Sequence, residues 1–299
     1  MSEAIETRGL AAPGRAALVL PFAWRRAVPY LLAAPLLVYM MVFYALPVAS
    51  MLLRSVAEPH WTLAHYADLA DDTVFLKVFW TTLYTAIIVT LGTLLLGYPV
   101  ALALVRVRPW TAALILMVVL LPFWTSILVR SYAWMVLLGR HGLINEVLLG
   151  AGLIERPLRI LNTPLATYIA MIHILLPYMI LPIANALRQI DPSLPRAASG
   201  LGATPWRTFG QVILPLSIPG VAAGGLLVFV LSLGFYITPA MVGGPREITL
   251  SMLIAQQVDQ LNWAYAATLA AVLLAIALVI IGGASRLPGV GNAFRMNTR

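Results

Sequence analysis

Apolar residues recur along this chain in long unbroken blocks, lacking both the two-residue alternation of exposed strands and the one-sided stripe of soluble helices. Six blocks, at positions 27–53, 79–105, 111–129, 161–187, 217–242 and 264–284, hold no Asp, Glu or Lys. Each nears or exceeds the roughly 20 residues that a helix needs to cross the hydrocarbon of a bilayer. The pattern predicts an all-α integral membrane protein of six transmembrane helices, with a six-span domain over 27–285 between tails at 1–26 and 286–299. The first block follows Arg15, Arg25 and Arg26, as the core of a secretory signal would, but it is longer than a cleaved core and reads as a retained span. Prolines and glycines inside the blocks, Pro99, Pro177, Pro182 and Gly224 among them, are tolerated in membrane helices whose neighbours re-satisfy the freed backbone groups.

The loops supply a direction. The two tails and the loops after the second and fourth blocks carry twelve Lys or Arg residues against three acids, whereas the remaining loops carry seven against eight. Positive loops are retained in the cytoplasm, so both termini and the segment between the fourth and fifth spans are expected there. Trp24, Tyr30, Trp61, Trp80, Trp110, Trp206 and Trp263 stand near predicted span ends, where amphipathic rings anchor at the interface.

Composition narrows the chemistry further. Only 10% of residues are charged and 61% are hydrophobic, and there is no cysteine, which excludes disulfides, thiolate metal sites and cysteine nucleophiles. A net charge of +8 invites a nucleic-acid reading, but the arginines flank apolar blocks instead of forming a stripe and Lys77 is the sole lysine, so no nucleic-acid partner is expected. No catalytic residue and no metal set is assigned. The zincin and nucleophile-elbow motifs are absent, no Gly-Lys-Ser/Thr can cradle a phosphate, and Gly200-Leu-Gly202 lacks the strand and third glycine of a dinucleotide fingerprint. An ion-coupled secondary transporter needs ionisable groups within its spans. Here His173 is the one clear candidate, and a single imidazole without a carboxylate relay reads better as a packing residue.

The stretch between the fourth and fifth blocks, 188–216, is the most informative. Asp191 before Pro192 starts one short helix, Gly202 ends it in a left-handed conformation, and Thr204-Pro205 starts a second that runs toward Pro215. Leu194, Ala197, Ala198 and Leu201 share a face by three- and four-residue spacing, giving a shallow apolar patch suited to a groove on a partner.

The spacing of Arg196-Ala197-Ala198, three residues, Gly202, nine residues, then Val212-Ile213-Leu214-Pro215 resembles the Glu-Ala-Ala signature of binding-protein-dependent ABC importer permeases, the MetI-like, type I family. Arg196 stands where that family has Glu, and Val212 replaces Ile. The resemblance implies a coupling loop at 188–216 that docks on an ATPase subunit through Arg196, Ala197, Ala198 and Gly202, with Val212, Leu214 and Pro215 tying it to the fifth span. The charge reversal at Arg196 leaves the complement on the partner's groove open.

Leu121-Pro-Phe-Trp-Thr-Ser-Ile-Leu-Val-Arg-Ser-Tyr-Ala-Trp134 and Gly234-Phe-Tyr-Ile-Thr-Pro-Ala-Met-Val-Gly-Gly-Pro245 are similar to the spermidine/putrescine branch of that family. The resemblance implies a polyamine solute. Other solutes of the same importer class (an amino-acid derivative, ferric iron or an oxyanion) stay open. Candidates for the translocation pathway or outer gate are Trp124, Arg130, Tyr132, Trp134, Tyr178, Phe235, Tyr236 and Asp259; the aromatic members offer faces to a cation, while core packing accounts for them equally. The resemblance also implies two copies of an ATP-binding subunit that carry the ATP and Mg, no cofactor in this chain, a second permease subunit, an extracytoplasmic solute-binding protein, and residence as a multi-pass protein in the bacterial inner membrane.

Overall fold

The structure, a computed structural model, describes residues 22–57 and 61–286. The chain divides into two compact units, residues 1–51 and 52–299. α1 (Phe22–Met40) passes through a π-helical turn, Met41–Ala45, into α2 (Leu46–Ala57), which runs across the division at Met51, and Leu32–Ala57 is long and apolar enough to span a bilayer. The π turn precedes Pro47. A proline removes one backbone donor and its ring crowds the carbonyl four residues earlier; the wider turn relieves that crowding, with Leu46 N–H reaching back five residues to Met41 O.

The second unit runs α3 (Ala64–Asp71), α4 (Thr73–Arg106), α5 (Pro109–Leu120), α6 (Ile127–Leu138), α7 (Leu143–Gly150), α8 (Pro164–Arg188), α9 (Ser193–Gly200), α10 (Pro205–Thr208), α11 (Leu214–Leu233), α12 (Ile237–Val242), α13 (Leu250–Asp259) and α14 (Trp263–Ser285). Its core is the packing of α4, α8 and α11. Along α8, Met171, Leu175, Met179, Ile180 and Ile183 are at most 1% exposed and meet Val89, Ala101 and Val228. Lipid is as apolar as leucine, so membrane helices associate through close approach and polar contacts. Gly220 supplies the approach, because a Cβ there would lie 2.5 Å from Ala186 Cβ and 2.7 Å from Pro182 O. Polar contacts include the Tyr98 hydroxyl with Ser217 Oγ at 2.8 Å, the buried pair Ser131 and Thr238 at 2.8 Å, and Leu250 N–H donating to Thr82 Oγ1 at 2.8 Å.

Two expected spans differ in detail. The block at 111–129 predicted one membrane-spanning helix. Instead α5 ends at Leu120, a 3-10 turn covers Leu121–Trp124, and the chain turns by 103° into a second helical segment. Ser126 Oγ accepts Leu128 N–H and starts α6 anew. The block at 217–242 likewise breaks at Gly234, before the short α12. Hydropathy is blind to both interruptions, since the breaking residues sit among apolar ones.

At the start of α4, Asp72 Oδ1 accepts Val74 N–H at 2.8 Å and Phe75 N–H at 3.3 Å, while the Tyr265 hydroxyl donates to Oδ2 at 2.7 Å, joining the ends of α4 and α14. These bonds, that from Tyr265 foremost, hold the carboxyl below the usual aspartate range. A group whose folded-state pKa is depressed contributes stability above its unfolded value and loses it as pH falls through the folded value. The thermal midpoint of the detergent-purified protein should therefore fall on acidification below about pH 5, and Asp72→Asn should start lower and lose that part of the slope. Gly220→Leu, which drives side-chain atoms into α8, should destabilise by roughly 1–3 kcal/mol in the same assay. Gly225→Ala, whose Cβ meets nothing nearer than Thr90 Cγ2 at 3.9 Å, should be neutral.

Candidate functional site

The loop between α8 and α11 is built as an elbow. Asp191 Oδ1 accepts Ser193 N–H at 2.8 Å and so caps α9, and this bond, followed by one with the Ser193 side chain, holds the Asp191 carboxyl below its ordinary range. At the far end Gly202 takes φ +83°, while Gly202 N–H reaches Ser199 O and Ala203 N–H reaches Ala198 O, both at 3.0 Å. That is the left-handed closure expected of the glycine. Thr204 Oγ1 then accepts Arg207 N–H at 3.4 Å to begin α10. The apolar face is uncovered by the described residues: Leu201 is 90% exposed, Leu194 45% and neighbouring Trp206 84%. Ala197 is exposed and Ala198 half-buried. Arg196 is exposed and its Nε donates to Pro192 O at 3.1 Å.

The second helix of the elbow does not stop at Pro215. It continues through a π-helical turn, Phe209–Ile213, straight into α11, forming one rod from Pro205 to Leu233. The device matches that before Pro47, with Leu214 N–H bonding Phe209 O across the wide turn. Leu214 and Pro215, expected to tie the loop down, are exposed, and Val212 is half-buried. Leu214 and Pro215 open α11, and contact with the core comes from Phe209, whose ring lies edge-on to Tyr98 at 5.8 Å, and from the buried Thr208 and Ile213. Sequence reasoning missed them, although Phe209, Ile213 and Ser217 recur every four residues.

A second feature lies where α5 turns into α6. A cavity of about 200 Å³ is lined by Phe123, Ile127, Arg130, Tyr178, Leu231 and Phe235, backed by Ile174 and Leu175. It gathers Arg130, Tyr178 and Phe235 from the sequence candidates and adds Phe123, whose ring packs on Tyr178 at 5.1 Å. Arg130 is half-buried, and its Nε is enclosed without a hydrogen-bond partner among the described residues. Trp134 is turned elsewhere: its indole N–H donates to His173 Nδ1 at 3.2 Å, and the two rings meet edge-on at 5.4 Å. The bond gives His173 the structural role expected of it. Trp124, Tyr132, Tyr236 and Asp259 are exposed and outside the cavity lining.

Six apolar segments, a capped elbow between the fourth and fifth, and a cavity beside the bend are the features to set beside known proteins. Residues 17–286 match the family described as binding-protein-dependent transport system inner membrane component. The chain belongs to that family. It is 34% identical over 249 residues to the spermidine/putrescine transport system permease protein PotB of Haemophilus influenzae, covering 82% of each chain. It is 31% identical over 251 residues to the molybdenum transport system permease protein ModB of Mycobacterium bovis, covering 83% of this chain and 90% of that one. Its fold is shared with a bacterial ABC transporter involved in alginate import, at a TM-score of 0.72 and 19% identity over 93% of this chain and 99% of that one. The chain is thus a permease subunit of an ABC importer, a multi-pass protein of the bacterial inner membrane.

A β-branched side chain at φ +83° is strained by roughly 1–3 kcal/mol. Gly202→Val should therefore loosen the α9 end, and limited trypsin digestion should cut at Arg196 and Arg207 several-fold faster than in the parent, with the remaining sites unchanged.

Proposed function

We propose that this permease forms half of a translocation pathway for a polyamine of the spermidine/putrescine class, delivered by an extracytoplasmic binding protein and moved at the expense of ATP hydrolysed on two copies of a separate subunit. The observation that carries the reading is the similarity to PotB over four-fifths of both chains. The cavity is compatible with it. The faces of Phe123, Tyr178 and Phe235 are surfaces on which an ammonium group is attracted to aromatic quadrupoles.

In this mechanism both termini and α9 face the cytoplasm. The uncovered Leu194, Ala197 and Leu201 seat in a groove of the ATPase, and Arg196 meets an acidic group there. Closure of the two ATPases pushes α9, and the rod from Pro205 to Leu233 carries the displacement to the α8 and α11 packing beside the cavity. The site opens outward while the binding protein is docked, and inward after hydrolysis. A second permease subunit completes the pathway. This chain supplies no nucleotide site, so ATP and Mg belong to the partner and the permease itself catalyses nothing.

A second reading rests on Arg130. A half-buried guanidinium whose Nε has no hydrogen-bond partner among the described residues, with no carboxylate in the lining, suits an oxygen-rich anionic solute better than a polycation. The two readings separate in one experiment. In proteoliposomes holding the whole importer, polyamines should stimulate ATP hydrolysis and compete for uptake while oxyanions do neither; the reverse pattern would overturn the polyamine assignment and favour the second. Gly202→Val should reduce co-purification of the ATPase at least tenfold, and normal pairing with normal uptake would remove α9 from the mechanism. Because the chain has no cysteine, a single Leu201→Cys reports the side of α9. Labelling from the periplasm alone would refute the orientation.

A further inference from the structure

At the opposite end of α8 from the elbow, the segment between α6 and α8 forms a cleft separate from the cavity lined by Arg130. Two cavities of about 330 Å³ each share Arg140 and Arg159 in their walls. One is completed by Leu138, Ile160, Leu161 and Asn162, the other by His141, Arg156 and Pro157. The cleft is thus apolar on one side and basic on the other, with two guanidinium groups at the junction. No carboxylate lines either part, and Glu146 and Glu155 of the same segment are exposed and lie outside the walls.

The arginines stand on a fixed backbone. Asn145 is fully buried; its Nδ2 donates to Gly139 O at 3.0 Å and to Leu158 O at 3.1 Å, and its Oδ1 accepts Leu158 N–H at 2.8 Å. One side chain therefore fixes the residue before Arg140 and the residue before Arg159. On the far wall Asn162 is left-handed at φ 63° and its N–H bonds Val242 O at 3.0 Å. Nearby the segment turns apolar side chains outward, with Leu143 58%, Val147 59% and Leu153 71% exposed, as in helices that lie in the headgroup region.

We infer that this cleft binds the phosphodiester headgroup of an anionic phospholipid, with Arg140, Arg156 and Arg159 on the phosphate and the glycerol and first methylenes against Ile160 and Leu161. Guanidinium forks match phosphate oxygens two at a time, which a compact ammonium cannot do. A free inorganic anion would use the basic half and leave the apolar half without purpose. An acidic lobe of a docked protein would have no need of an apolar wall beside the charges.

The test uses the intact importer complex, extracted in mild detergent and weighed by native mass spectrometry, with thermal melting in nanodiscs with and without phosphatidylglycerol. The parent should retain phosphatidylglycerol in preference to phosphatidylcholine and melt higher when it is present. Each exposed arginine replaced by glutamine should weaken retention roughly fivefold, so Arg140→Gln with Arg159→Gln should lose most of the bound lipid and the stabilisation, while Arg140→Lys falls between. Unchanged retention in the double variant overturns the proposal. Displacement by excess inorganic phosphate as easily as by lipid reassigns the cleft to free anions and also overturns it. Loss of binding-protein affinity with lipid retention intact would show a protein-docking surface in its place. None of these outcomes depends on which solute is carried.

Discussion

An unpaired backbone amide or carbonyl facing hydrocarbon costs several kcal/mol, and four departures from regular helix among the described residues are arranged around that penalty. Pro47 and Pro215 each follow a π-helical turn in which an amide reaches back five residues, to Met41 and Phe209, so the helix continues past the proline. The break between α5 and α6 is closed by Ser126 Oγ on Leu128 N–H, and α13 opens with Leu250 N–H on Thr82 Oγ1 of a different helix. Interruptions occur where a hydroxyl or a neighbouring helix can take over the freed group.

That constraint explains how a predominantly apolar chain holds a specific arrangement without a hydrophobic drive between its helices. Close approach at Gly220 brings α11 onto α8, and the hydroxyls of Tyr98 and Ser217, 119 residues apart in sequence, fix how α11 sits on α4. The elbow is anchored at the same place, because Phe209 packs edge-on to the same Tyr98 ring, about two turns before the Tyr98 to Ser217 bond. The packing of the core and the anchoring of the elbow thus share a residue, Tyr98.

The elbow was the most legible part of the sequence because its determinants are local. Asp191, Thr204 and Gly202 each act within a few residues of their own position, and the cap or the left-handed turn each implied is present. The apolar blocks were legible for the same reason, since span length is a property of one segment. The bend near Ser126, the stop at Gly234 and the role of Phe209 were not, because each depends on what lies across the fold. The cavity was half legible: Arg130, Tyr178 and Phe235 were candidates by residue type, but Phe123 joins them through a turn that hydropathy cannot register, and the same turn separates Trp124 from them.

The π-helical turn at Phe209–Ile213 has a geometric corollary. A wide turn is equivalent to one residue inserted into an otherwise regular helix, and one residue is worth about 100° of rotation. The azimuth of α10 relative to α11 is therefore set by a single surplus residue in a stretch that includes Gly210. Were the turn to tighten to ordinary α-helix, the face carrying Trp206 would swing around the rod axis without any change in the rod's direction, turning a linear strut into a crank.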